Sequence, residues 1–228
     1  MNDPYFDQFS ASYDEDLQRA LSVTGEDKEF FARGRLRWLA SHLSQHRRQA
    51  GAVLDFGCGT GSATPLIFEC LHASRVLGVD VSGASLEAAR SKYGSAQASF
   101  QLIESPELGA FDVAFCNGVF HHIEPDGRQQ ALDYIYQSLG PGGVFALFEN
   151  NPWNLATRYV MSRCAFDKDA ITLNPVETRR RMRQAGFQVL TTRFLFIFPA
   201  FLGALRVLET PLSRLPLGGQ YVMVGMKP

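Results

Sequence analysis

The sequence predicts an α/β fold: a seven-stranded, mostly parallel sheet with helices on both faces and an antiparallel last strand. Three observations carry this. Strand-like apolar runs alternate with helix-like segments along most of the chain, the pattern of parallel strands joined by crossover helices. The last two strand-like runs, 187–198 and 220–227, have no helical pattern between them, so they are expected to pair antiparallel. The composition, 46% hydrophobic and 20% charged over 228 residues, suits one folded domain, 1–228, with a full core.

Each element in order has its own signal. Residues 1–50 read as an N-terminal helical segment, in which 28–48 carries Phe31, Leu36, Trp38, Leu39 and Leu43 at helical spacing. "AVLDF" (52–56) reads as a buried strand, and 62–72 as the helix after a glycine turn. "RVLGVDVS" (75–82), "ASFQLIE" (98–104), "FDVAFCNG" (111–118) and "VFALFEN" (144–150) read as strands two to five. Residues 84–94 read as a helix stopped at Gly94, and 127–143 as a helix ended by a Gly/Pro turn. Asn174 is expected to cap a helix over 174–187 with Pro175 at its first position. Two segments, 151–173 and 199–219, break this rhythm. Both are rich in Pro, aromatic and apolar residues, and both are expected to emerge near the ligand edge as apolar lid insertions that cover a substrate.

Composition also excludes some classes. The 22 Lys+Arg nearly balance the 23 Asp+Glu, so bulk charge gives no argument for nucleic acid. The run "TRRRMRQ" (178–184) fits a solvated helix face. The four cysteines form no CxxC pair and no zinc-like Cys/His spacing, so no metal is expected and reduced, cytoplasmic thiols are. The acidic N-terminus is not a signal peptide. No stretch reaches the ~18 apolar residues of a membrane span.

The turn "VLDFGCGTGSA" (53–63) narrows the ligand. Glycines stand at 57, 59 and 61, whereas a dinucleotide fingerprint would put its third glycine where Ser62 is. Asp55 at the mouth of the turn would repel a pyrophosphate and attract a cationic ligand. Asp80, ending the second strand, is placed to accept ribose hydroxyls, a role common to several nucleoside sites.

Taken in order, "VLDFGCGTG", "GVDVS", "FDVAFCNGVFHHI", "LGPGGVFALFE" and "AGF" resemble the successive motifs of the class I S-adenosylmethionine-dependent methyltransferases. The resemblance runs from about 50 to 150 and resumes at 174–190 and 220–228. It implies a Rossmann-like sheet and S-adenosyl-L-methionine as cofactor. It implies that Asp55, Gly57, Cys58, Gly59 and Gly61 form the cradle for the methionine part, with Asp80 on the ribose, Val81 against the adenine and Asn117 near the sulfonium. Tyr5 and Tyr13 would close over the cofactor or simply pack. Glu104 stands where the family often has an Asp for the adenine amino group, in a shortened loop that leaves its register open.

The chemistry beyond the cofactor points to "NGVFHHIEP" and "ENNPWN". An acceptor hydroxyl must lose a proton, and His is the usual agent. His121 is the first candidate base and His122 the second, with at most one expected to face the substrate. Glu149, ending strand five, could orient the His or hold a polar substrate group. The expectation is methyl transfer to a small, partly apolar or lipid-linked acceptor, O-methylation being favoured over N or C. An NAD-dependent oxidoreductase and a non-catalytic module that binds S-adenosylmethionine are the rivals.

Overall fold

The computed structural model describes residues 18, 21, 24–164, 167 and 170–228. Tyr5 and Tyr13 lie outside the described residues. The strands are β1 (Ala52–Phe56), β2 (Arg75–Asp80), β3 (Ala98–Leu102), β4 (Phe111–Asn117), β5 (Leu139–Asn150), β6 (Gln188–Leu195) and β7 (Gln220–Met226). They form one sheet in the order β3-β2-β1-β4-β5-β7-β6. β1 to β5 pair in parallel, and β7 runs antiparallel to both β5 and β6. The chain moves outward from β1 to β3, then crosses back to β4 beside β1. That reversal opens a crevice at the carboxyl ends of β1 and β4, the place where open α/β sheets take their ligands.

Alternation along the strands builds two cores. Leu54, Leu77, Ala114, Cys116, Phe145 and Leu147 face one side. They pack with Leu132 and Ile135 of α4 (Arg128–Ser138) and Met182 of α6 (Pro175–Gln184). Val53, Val76, Val113, Phe115, Ala146 and Phe148 face the other. They meet Leu36, Leu39 and Leu43 of α1 (Lys28–Gln45), and Ile67 and Leu71 of α2 (Thr64–Leu71). With both faces covered, each strand reads as a nearly continuous apolar run. Among the described residues no helix is long and apolar enough to cross a membrane.

Helix starts follow their caps. The Asp27 carboxylate accepts the Phe30 N–H at the head of α1, and Ser82 Oγ accepts the Ser85 N–H before α3 (Gly83–Tyr93). Asn174 Oδ1 accepts from Val176 and Glu177, with Pro175 opening α6 as its sequence suggests.

Two boundaries differ from expectation. Residues 139–143 belong to β5, not to the helix and turn expected over 127–143. Leu139 pairs with Phe111 across a bulge, and Gly142 and Gly143 exchange backbone bonds with Lys227. Pairing on both sides thus outweighs the turn propensity of "GPGG". The sixth strand ends at Leu195 rather than 198. Phe196 takes a left-handed φ of 61°, turning its ring toward Phe31, 4.9 Å between centroids. The two irregular excursions hold α5 (Leu155–Met161), a 3-10 segment over Ala200–Leu208 and the one-turn α7 (Glu209–Leu212).

Candidate active site

The glycine turn joins β1 to α2, and each glycine has a different task. A side chain at Gly57 would collide with Val119, and a Cβ at Gly61 would lie 3.0 Å from Ala89 and Phe100. Those two glycines allow close packing. Gly59, at φ 51°, has nothing within 4 Å of its Cβ position among the described residues, so its side is open. The Cys58 thiol points away from that space, into the core with Leu86, Ala89 and Phe100. The N–H groups of Gly57 and Cys58 both donate to Val79 O, that of Gly61 to Cys58 O, and that of Gly59 to Asp80 Oδ2 at 2.8 Å. These four donors are therefore committed within the chain, and the turn does not offer them to phosphate.

Asp55 and Asp80 give this corner its charge. Asp55 is buried and, among the described residues, its Oδ2 has no hydrogen-bond partner. Burial, with the nearby Asp80 charge, pushes its pKa up to about 7. Asp80 Oδ1 accepts the Ser82 N–H at 2.9 Å while Oδ2 holds Gly59. It thereby ties the turn to the head of α3. Val81 is half-buried beside it. Glu104 is exposed on the loop after β3.

The second cluster forms at the ends of β4 and β5. After Asn117 and Gly118, a 3-10 turn over Phe120–His122 is held by Glu149 of β5, whose Oε1 accepts the Phe120 N–H at 2.7 Å. Glu149 Oε2 accepts from His121 Nδ1 at 2.7 Å. The strap after α5 brings Asp167 to the other side, with Oδ1 3.3 Å from His121 Nε2 and 3.4 Å from His122 Nε2. Ile171 N donates to His121 O and seats the strap on this turn.

Electrostatics separates the two histidines. Burial alone would lower the His121 pKa, but the Glu149 charge and hydrogen bonds to Asp167 and Glu149 lift it to about 10. His122 goes down to about 4, through burial and the neighbouring His121 charge. Burial would raise Glu149, yet His121 and the Phe120 N–H hold it below its ordinary value. The two carboxylates favour the protonated form of His121, and burial favours the neutral form of His122.

A cavity of about 890 Å³ joins this cluster to the excursions. It touches Ser62 of the glycine turn and Asn117 and Gly118 at the end of β4, but does not extend to Asp55 or Asp80. Asn117 Oδ1 is buried there with no hydrogen-bond partner among the described residues. Phe30, Phe31, Phe196, Phe198 and Phe201 supply an aromatic wall, and residues of 151–173 and 199–219 supply much of the rest. Both His121 and His122 line it, against the expectation that only one would. The tight turn brings the two rings to 4.1 Å between centroids, and Asp167 meets both. Sequence reading missed Asp167 and the α1 phenylalanines. "FDKDA" belongs to no motif, and Phe30 and Phe31 reach the cavity only because α1 packs beside β5 and β6.

A reversal-point crevice with a buried carboxylate, a glycine turn and an acid ending β2 is a layout that open α/β sheets use for nucleoside ligands. Residues 54–145 match the family model described as a methyltransferase domain. Over this segment the chain resembles S-adenosylmethionine-dependent methyltransferases. Among curated relatives, a trans-aconitate 2-methyltransferase of Variovorax paradoxus is 33% identical over 43% of this chain and 38% of its own length. An O-methyltransferase of Aspergillus sclerotiorum is 29% identical over 67% of this chain and 58% of its own. The chain spans about half the length of the curated relatives it matches. A solved structure from Thermotoga maritima, described as a possible histamine N-methyltransferase, shares the fold with TM-score 0.66 at 17% identity, covering 98% of both chains. A methyltransferase structure from Mesorhizobium loti gives TM-score 0.59 at 20% identity, covering 78% of this chain and 91% of that one.

The family's cofactor fits the residues present. S-adenosylmethionine carries an ammonium and a sulfonium and no phosphate. An orphaned buried Asp55 oxygen, an open Gly59 and inward-turned N–H groups suit that charge and oppose a pyrophosphate.

Proposed function

We propose that the chain transfers a methyl group from S-adenosylmethionine to a small, partly apolar acceptor, with an oxygen nucleophile favoured. The observation that carries this is the shape of the cavity. Its aromatic wall ends at a polar corner of His121, His122 and Asp167, next to Asn117 at the cofactor side. Asp55 and the glycine turn would hold the amino-acid part of the cofactor, Asp80 the ribose and Val81 the adenine. When bound, the cofactor supplies an already activated methyl, so much of the rate comes from alignment. Phe30, Phe31, Phe196 and Phe198 bind the acceptor's apolar part and exclude water. Its reacting group lies against the polar corner, where His122 can take a proton while Glu149 holds the turn in place. The excursions 151–173 and 199–219 act as the substrate cover of a single domain.

Incubation with S-adenosylmethionine and a panel of amphipathic alcohols, carboxylates and amines tests the reading. Acceptor-dependent S-adenosylhomocysteine formation is expected. Tight cofactor binding with no turnover across the panel would favour a binding module, and NAD binding in its place would overturn the cofactor assignment.

A further inference from the structure

We infer that His121 Nε2, His122 Nε2 and Asp167 Oδ1 bind one divalent transition-metal cation at the polar end of the cavity, with Glu149 behind His121. The three ligand atoms lie within 4.8 Å of one another. The Asp167 oxygen stands 3.3 and 3.4 Å from the two nitrogens. That is long for a charge-assisted N–H···O bond, normally ~2.7–2.9 Å. It is the separation of two ligand atoms that share a metal: two bonds of ~2.0–2.1 Å at a tetrahedral angle put their ends about 3.3 Å apart. One oxygen stands almost equidistant from the two imidazole nitrogens. It suits a common centre between them.

Glu149 supplies the second argument. Its 2.7 Å contact with His121 Nδ1 fixes which nitrogen points outward, and Nε2 then faces Asp167. Carboxylate–histidine–metal relays use this arrangement to orient the ring and raise its basicity as a ligand. Charge balance is the third. Two carboxylates are gathered around two imidazoles with side-chain exposures of 1% for Glu149, 6% for Asp167, 3% for His121 and 15% for His122. A dication compensates both carboxylates where water does not.

Two imidazoles and one carboxylate select zinc, cobalt, manganese or iron over magnesium and calcium, which prefer all-oxygen sites. Three protein ligands leave at least one coordination position, and the cluster opens onto the cavity. An acceptor hydroxyl or carboxylate would complete the shell there, and with the cation bound His122 would serve as its ligand and not as a base. This use of the cation rests on the function proposed above, whereas its binding does not.

The test therefore omits cofactor and acceptor. Tag-free chain, stripped with a chelator and dialysed, is titrated with Co²⁺ by visible absorption and with Zn²⁺ by calorimetry. One equivalent of each is expected to bind, with Mg²⁺ and Ca²⁺ at least ~100-fold weaker. His122→Ala and Asp167→Asn should each weaken Co²⁺ binding and alter its spectrum. Glu149→Gln should weaken it ~10–100-fold, and the exposed Asp126→Asn should change nothing. Circular dichroism identifies folded variants, and His122 and Asp167 lie at the cavity surface of the cluster, where substitution is best tolerated. No saturable Co²⁺ or Zn²⁺ binding, or binding unchanged in both His122→Ala and Asp167→Asn, would overturn the site. An intact Co²⁺ titration with no S-adenosylhomocysteine formed on any acceptor would count against the methyl-transfer reading alone.

Discussion

Two carboxylates end strands of the same sheet, and they behave oppositely. Asp55 of β1 and Glu149 of β5 are both buried, at 3% and 0% exposure. Among the described residues Asp55 leaves one oxygen without a partner, and its pKa rises to about 7. Glu149 accepts from the Phe120 N–H and from His121 Nδ1, and its pKa falls. Burial is common to both, so the partner decides the sign. The cradle keeps an incomplete carboxylate, complementary to a cation still to come. At the acceptor corner the fold itself brings a histidine and a backbone N–H to Glu149.

The largest expected effect comes from breaking the Glu149–His121 pair. Glu149→Leu leaves the His121 imidazolium in the core with one carboxylate fewer and frees the Phe120 N–H. A loss of about 3–5 kcal/mol in denaturant unfolding is expected. Glu149→Gln, which keeps an oxygen acceptor, should lose less. A loss below ~1 kcal/mol for the leucine variant would show that the pair is not the structural unit described here.

The Asp55 carboxylate should respond the other way. Its folded pKa of about 7 lies above the ordinary 3.8, so between those values the folded chain keeps a proton that the unfolded chain has lost. Its contribution to stability therefore falls as pH rises from ~4 to ~7 and stays low above that. Asp55→Asn should stabilise the cofactor-free chain by roughly 2–4 kcal/mol at pH 8 and little at pH 4, while weakening S-adenosylmethionine binding. Below pH 7, wild-type affinity for the cofactor should rise with pH, by at most about tenfold per unit. A pH-independent affinity from 5 to 7 would remove Asp55 from the cradle.

Asp80→Ala should weaken cofactor binding by ~1.5–3 kcal/mol, the scale of hydrogen bonds to a charged group. It also releases Gly59 N and Ser82 N, so the melting temperature should drop. Calorimetry with unchanged affinity in a folded variant would reassign Asp80 to the turn alone. The smallest effect on stability belongs to Gly59→Ala. Its left-handed φ of 51° with open surroundings predicts a cost of about 1–2 kcal/mol. Its loss of cofactor affinity should exceed that cost. Equal losses would mean that the open side of Gly59 is not ligand space.

How much of this was legible in the sequence differs between the two corners. The proposed cradle lies within one short stretch, 55–61, plus Asp80 at the end of the next strand, so local spacing suggests it. The inward packing of Cys58 and the exposure of Glu104 do not show in that spacing. The acceptor corner is assembled from the turn after β4, the end of β5 and a strap 46 residues after His121. Its His pair and Glu149 stand out as motif and strand end, but Asp167 does not.

Alternation of apolar residues, caps such as Asn174–Pro175 and the glycine turn are governed by neighbours along the chain. The sequence by itself therefore determined the α/β class and the parallel sheet with its antiparallel last strand. Long-range pairing decided the rest. β5 begins at Leu139 because Phe111 and Lys227 pair with it. Both histidines face the cavity because a strap with no motif of its own carries Asp167 between them. The His121 charge state depends on two carboxylates that only the folded chain brings within reach of one ring.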